Sequence, residues 1–130
     1  MAGAPVTRYA PLGDSFVAFQ VTGGRGPDLL YLPNATHPID LLWDDPTIAR
    51  GLRRLAAGNR LITCDLVGVG SSDPVLYADL PALEAWVDGV AAVLDAVESE
   101  QATFLATAES ALPVLLFAAS HPERVRSLVL

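Results

Sequence analysis

The chain carries one cysteine, Cys64, among 130 residues. An internal disulfide is excluded, and so are zinc sites built on two or four cysteines. Cys64 lies in an apolar stretch and reads as a buried small hydrophobe. Positive charge is scarce: 8 Lys+Arg stand against 15 Asp+Glu, a net charge of −7. Phosphate backbones repel such a surface, and no basic stripe offsets the repulsion, so nucleic acid is not an expected partner. Long apolar runs are also missing. The longest, residues 111–119, contains Pro113 and is too short to cross a bilayer, so no membrane partner is expected. Residues 1–11 lack the apolar core of a signal peptide. The expectation is a cytoplasmic protein, with no cofactor and no metal.

What is present is apolar. Hydrophobic residues make up 52% of the chain, and the mean hydropathy is +0.39. These values fit one packed domain and argue against disorder. A chain of this size buries roughly two-thirds of its unfolded surface.

The pattern alternates between strand and helix. Thr7 to Ala10 and Ser15 to Val21 predict a hairpin across Pro11-Leu12-Gly13-Asp14. Leu29 to Leu32 is a short apolar run of the kind buried on both faces. Pro46 to Ala57 predicts a helix with Ile48, Leu52 and Leu55 inward and Arg50, Arg53 and Arg54 outward, stopped by Gly58-Asn59. Leu61 to Leu66 follows as a strand. Leu80, Leu83, Val87, Val90, Leu94 and Val97 step by three and four, with Asp79 as N-cap and Pro81 in the first turn. Glu84, Asp88, Asp95 and Glu98 mark its wet side. Phe104 to Thr107 predicts a strand, Glu109 to Ser120 a helix, and Val125 to Leu130 a last strand. The order β-β-β-α-β-α-β-α-β predicts an α/β fold: a mostly parallel sheet with an N-terminal antiparallel hairpin and helices on both faces.

Gly68-Val69-Gly70 after a strand has a dinucleotide-loop flavour, but Asp73 stands where a third glycine belongs and no helix opens there. The acidic pairs of the long helix read as a solvated face. The stretch 102–111 reads as a strand turning sharply into a helix.

Four stretches give the chain a family resemblance. Arg8-Tyr9-Ala10 with Gly13-Asp14 and Ala18-Phe19-Gln20-Val21 form an opening hairpin. Leu32-Pro33-Asn34-Ala35-Thr36-His37-Pro38-Ile39-Asp40 with Trp43 forms a loop. Asp65-Leu66-Val67-Gly68-Val69-Gly70-Ser71-Ser72-Asp73 is similar to D-x-R-G-x-G-x-S-D, with Val67 for Arg. Phe117-Ala118-Ala119-Ser120-His121-Pro122-Glu123-Arg124-Val125 closes the series. Together they resemble the N-terminal half of an α/β-hydrolase, in the bacterial branch fused to class III adenylate/guanylate cyclases and helix-turn-helix regulators. Residues 1–130 then form the N-terminal part of a single domain. Ending in a strand at Leu130, the chain reads as a piece of a longer protein.

The resemblance implies where chemistry belongs. The nucleophile elbow, G-x-S-x-G, matches Ala106-Thr107-Ala108-Glu109-Ser110, so the nucleophile position holds Ala108. A methyl group cannot attack a carbonyl. Ser110 lies two residues on and points elsewhere; Thr107 is expected to face the sheet side. The family's base and acid fall beyond Leu130. His121 reads as a helix cap. His37 either lines a pocket or makes a local hydrogen bond. The oxyanion hole is the part expected to persist, built from the backbone N–H of Glu109 and of Asn34 or Ala35. Without a nucleophile to present, the turn has no need of strain. The reading is a non-catalytic module that binds a small-molecule ligand near Asn34, Ala35, His37, Ala108 and Glu109, or regulates a fused effector domain. A serine-hydrolase-type esterase or lipase-like enzyme with its C-terminal half elsewhere is the alternative. A remnant that self-associates along 125–130 is a third reading.

Overall fold

The computed structural model describes residues 3–76 and 82–130. Six strands form one sheet: β1 (Arg8–Leu12), β2 (Ser15–Gly23), β3 (Asp28–Leu32), β4 (Arg60–Cys64), β5 (Ala102–Ala106) and β6 (Val125–Val129). Their spatial order is β1-β2-β4-β3-β5-β6. The first two pairings, β1 with β2 and β2 with β4, are antiparallel; β4, β3, β5 and β6 run parallel. The predicted hairpin is present, closed by Gly13-Asp14 between Leu12 and Ser15. Gly13 has φ 58, which glycine supplies without steric cost at the first position of a two-residue turn.

Alternation along the strands sorts side chains to two faces. On one face Val17, Phe19, Leu30, Leu32, Ile62, Cys64 and Phe104 pack against helices α3 (Leu83–Ala96) and α4 (Ala111–Ser120). On the other, Ala18, Leu29 and Leu61 pack against α1 (Ile39–Leu42) and α2 (Pro46–Gly58). Helices thus cover both faces, as expected. Cys64 is buried, and burial pushes its thiol up, so it is chemically quiet.

The expected α2 forms with Arg50, Arg53 and Arg54 exposed. Its first turn is fixed by Asp45, whose Oδ1 accepts from Thr47 N–H at 2.7 Å and Ile48 N–H at 3.2 Å. In α3, Val87, Val90 and Leu94 are buried and Glu84, Asp88 and Asp95 exposed, as the stepping predicts. Asp79, Leu80 and Pro81, expected as cap, core and first turn, fall outside the described residues. The short α1 has no counterpart in the sequence reading. The helix expected from Glu109 begins at Ala111 instead, because 108–110 form a 3₁₀ turn.

The strand ends are locked by an ion pair. Arg60 Nε and Nη2 donate to Asp28 Oδ1 and Oδ2 at 2.6 and 2.8 Å, and Nη1 donates to Val97 O at 2.9 Å. The Arg60 hydrogen bonds hold the Asp28 carboxyl below its ordinary range. That contribution is present at neutral pH and is lost as pH falls through the depressed value.

Candidate functional site

The site is built where β5 leaves the sheet. Thr107 N–H donates to Leu32 O at 3.3 Å, keeping this end of β5 beside β3. At the next residue the backbone turns over: Ala108 has φ 54, a left-handed conformation that costs an L-residue about 1–2 kcal/mol. The turn is therefore strained, although no nucleophile is presented that would need the strain. Ser110 supplies one reason. It is fully buried, and its Oγ donates to Pro33 O at 2.7 Å, anchoring the start of α4 to the loop after β3. Ser110 faces into the protein, as expected of a residue that does not replace a nucleophile. Ala108→Gly is expected to raise stability by about 1 kcal/mol, the strain that a missing Cβ relieves. A urea-unfolding midpoint that falls in this variant contradicts the strain.

The loop after β3 is held by Asn34. Its Oδ1 accepts from Thr36 N–H at 3.1 Å, and His37 Nδ1 lies 2.6 Å away. A carboxamide oxygen only accepts, so Nδ1 of His37 carries the proton. This is the local hydrogen bond expected of a loop histidine. His37 also lines a groove of about 200 Å³ with Pro38, Leu41, Leu42, Asp45 and Ile48.

The two halves meet at one contact absent from the sequence reading. Ala35 N–H donates to Glu109 Oε1 at 2.6 Å, across 74 residues of chain. That bond leads the causes that hold the Glu109 carboxyl below its ordinary range, followed by its own N–H. The contact is intact above that range and is released as pH falls through the depressed value. Ala35, Ala108 and Glu109 are all exposed.

Thr107 is a correction. It does not face the sheet; it is exposed and lines an apolar groove of about 380 Å³ with Tyr31, Ile48, Leu52, Leu55 and Leu105. Its backbone is still extended, with φ −122 and ψ 141, so it shares a face with Leu105, and that face is an open groove at this end of β5. His121 is the C-cap of α4, its ring tilted by 37° against Phe117 with centroids 4.9 Å apart.

A polar cluster missed by the sequence reading supports the loop. Asp65 is buried; its Oδ1 accepts from Ile39 N–H at 3.0 Å and its Oδ2 from Ser71 N–H at 2.9 Å. Burial pushes its carboxyl up, and those two bonds oppose the shift. Asp40 accepts from the hydroxyls of Thr7 and Ser71, with Ser71 foremost in holding its carboxyl down. A Cβ at Gly70 would overlap the Asp65 carboxylate, so this glycine serves local packing. Ser72 Oγ donates to Asp65 O and accepts from Ala18 N–H, and Phe16 N–H donates to Asp73 Oδ2. The segment 65–73 is a clasp between β2, α1 and the loop. Val67, where the resemblance has Arg, is buried, and its carbonyl accepts from Trp86 Nε1 at 3.0 Å. Among the described residues, no group of His, Cys, Asp and Glu is arranged to hold a metal ion, and no helix is long and apolar enough to cross a membrane.

Solved structures share this fold. A hydrolase from Pseudomonas aeruginosa PA01 superimposes with a TM-score of 0.79 at 23% identity, over 95% of this chain and 44% of that one. An epoxide hydrolase from Vigna radiata gives 0.78 at 18% identity, over 96% and 39%. The fold is that of the α/β-hydrolases. In sequence, the 2-hydroxymuconate semialdehyde hydrolase of Pseudomonas sp. (strain CF600) is 41% identical over 76 residues, 58% of this chain. The chain spans about a quarter of that relative, with 26% of its length matched. No family model matches.

Proposed function

We propose that the chain is a non-catalytic α/β-hydrolase-like module, a ligand-binding or regulatory part of a longer cytoplasmic protein of the cyclase or transcription-regulator type. The observation that carries this reading is the methyl group of Ala108 at the apex of a strained elbow. The elbow is degenerate in chemistry but keeps its shape. A hydroxyl, a thiol or a carboxylate is required there for covalent catalysis. Backbone donors survive beside it at Ala35 and Glu109, and they need no particular side chain. The grooves lined by His37 and Thr107 supply apolar ground for a small molecule. Beside β5, at the edge of the sheet, β6 exposes Leu128 and Val129, which suits pairing with a further strand, a fused effector domain or a second copy.

A second reading is favoured by the 41% identity to a semialdehyde hydrolase. In it, the protein is a serine-hydrolase-type esterase or lipase-like enzyme completed by residues beyond this chain. Turnover of a p-nitrophenyl ester by the protein at its natural length separates the two. The non-catalytic reading expects the buffer rate. Saturable turnover that co-purifies with the protein through successive columns would sink it.

A further inference from the structure

The donor that an incoming acceptor would need is already engaged by a side chain of the same protein. The Glu109 carboxylate crosses from the elbow to the loop after β3 and takes Ala35 N–H at 2.6 Å. Its own N–H, the other donor of the pair, also favours the charged carboxylate. The side chain is exposed, so no packing prevents it from turning out to water. We propose that Glu109 is a tethered stopper: its carboxylate occupies the Ala35 donor and keeps external carboxylate or carbonyl oxygens out until the side chain swings away. This rests on the reading of the elbow as a ligand site.

The physical argument is one of competition. A group held on a short tether competes at an effective concentration of about millimolar or higher. A weak free acceptor loses against it. A ligand that wins must bring contacts elsewhere, and the grooves at His37 and Thr107 offer them. Negative charge adds a second barrier, because an arriving anion meets the Glu109 carboxylate before it meets the donors. Removing the carboxylate lifts both.

Acetate is a suitable probe, read by the amide chemical shifts of Ala35 and residue 109 in the isotope-labelled protein at its natural length. Glu109→Ala is expected to bind acetate at least about tenfold more tightly than the unmodified protein, with shifts centred on those two amides. Glu109→Gln, which keeps the size but loses the charge, is expected to fall between them. Unchanged shifts at the remaining amides report an intact fold, and the Gln variant carries the comparison if the Ala variant does not fold. Equal acetate affinity with and without Glu109 overturns the stopper while leaving a ligand site. No perturbation of either amide in any of the proteins overturns the stopper together with the site reading on which it rests.

Discussion

Ala108→Ser alone is expected to leave hydrolysis of a p-nitrophenyl ester at the buffer rate. Two barriers stand in the way. A serine needs a matched base to be a good nucleophile at neutral pH, and loss of one member of a catalytic triad costs up to about 10⁶ in kcat in a serine protease. Within residues 1–130, His121 lies at the far end of α4, about 15 Å of helix from the elbow. His37 gives its Nδ1 to the neutral carboxamide of Asn34, which does not stabilise an imidazolium as a carboxylate does. The second barrier is Glu109. Its carboxylate sits on Ala35 N–H, and loss of a single oxyanion donor costs about 10²–10³. A charge of the same sign as the developing oxyanion adds to that loss. The assay is run on the protein at its natural length, with Ala108→Ser and Ala108→Ser/Glu109→Gln side by side. Saturable turnover by the single variant would show that base, acid and oxyanion hole are all in working order, and the hydrolase reading would replace the one offered here.

Asp65→Ala is expected to destabilise the fold by about 2–6 kcal/mol, since two donors are orphaned at roughly 1–3 kcal/mol each. The donors are Ile39 N–H, at the first residue of α1, and Ser71 N–H, in the clasp. Ile39 is fully buried, so water does not replace the lost acceptor there. For a domain whose net stability is about 5–15 kcal/mol, the loss is a large fraction of the whole. The effect should propagate to the site, because α1 directly follows the loop that carries Ala35 and His37. Urea unfolding followed by circular dichroism measures it. A midpoint shift equivalent to less than about 0.5 kcal/mol, the range of an ordinary surface substitution, would mean that the clasp does not hold the loop.

These two cases show what the sequence makes legible and what it hides. The sheet was readable because its strands alternate or run apolar, and α3 because its apolar residues step by three and four. The position of the elbow was readable from the strand-to-helix switch around Ala108. The short α1 was not, since a four-residue helix has no intrinsic stability; it is organised by Asp65, 26 residues away. Glu109 reads locally as a residue at the start of a helix. Its partner lies 74 residues back, and no local pattern predicts that pairing. The positive φ of Ala108 runs against its residue type, which favours right-handed backbone. Tertiary anchors decide it: Thr107 N–H on Leu32 O before the turn and Ser110 Oγ on Pro33 O after it. Thr107 is extended like the strand before it and shares a face with Leu105; the sequence does not show that this face is left as an open groove.

The claim at the centre of this account is that the elbow presents no nucleophile. Exposure of the protein, purified at its natural length from its own cells, to a fluorophosphonate followed by intact-mass measurement tests it most directly. The account predicts an unchanged mass, because Ala108 has nothing to phosphonylate and Ser110 is buried on Pro33 O. A stoichiometric mass increase that maps to Ser110 or to any other hydroxyl at the elbow would contradict it.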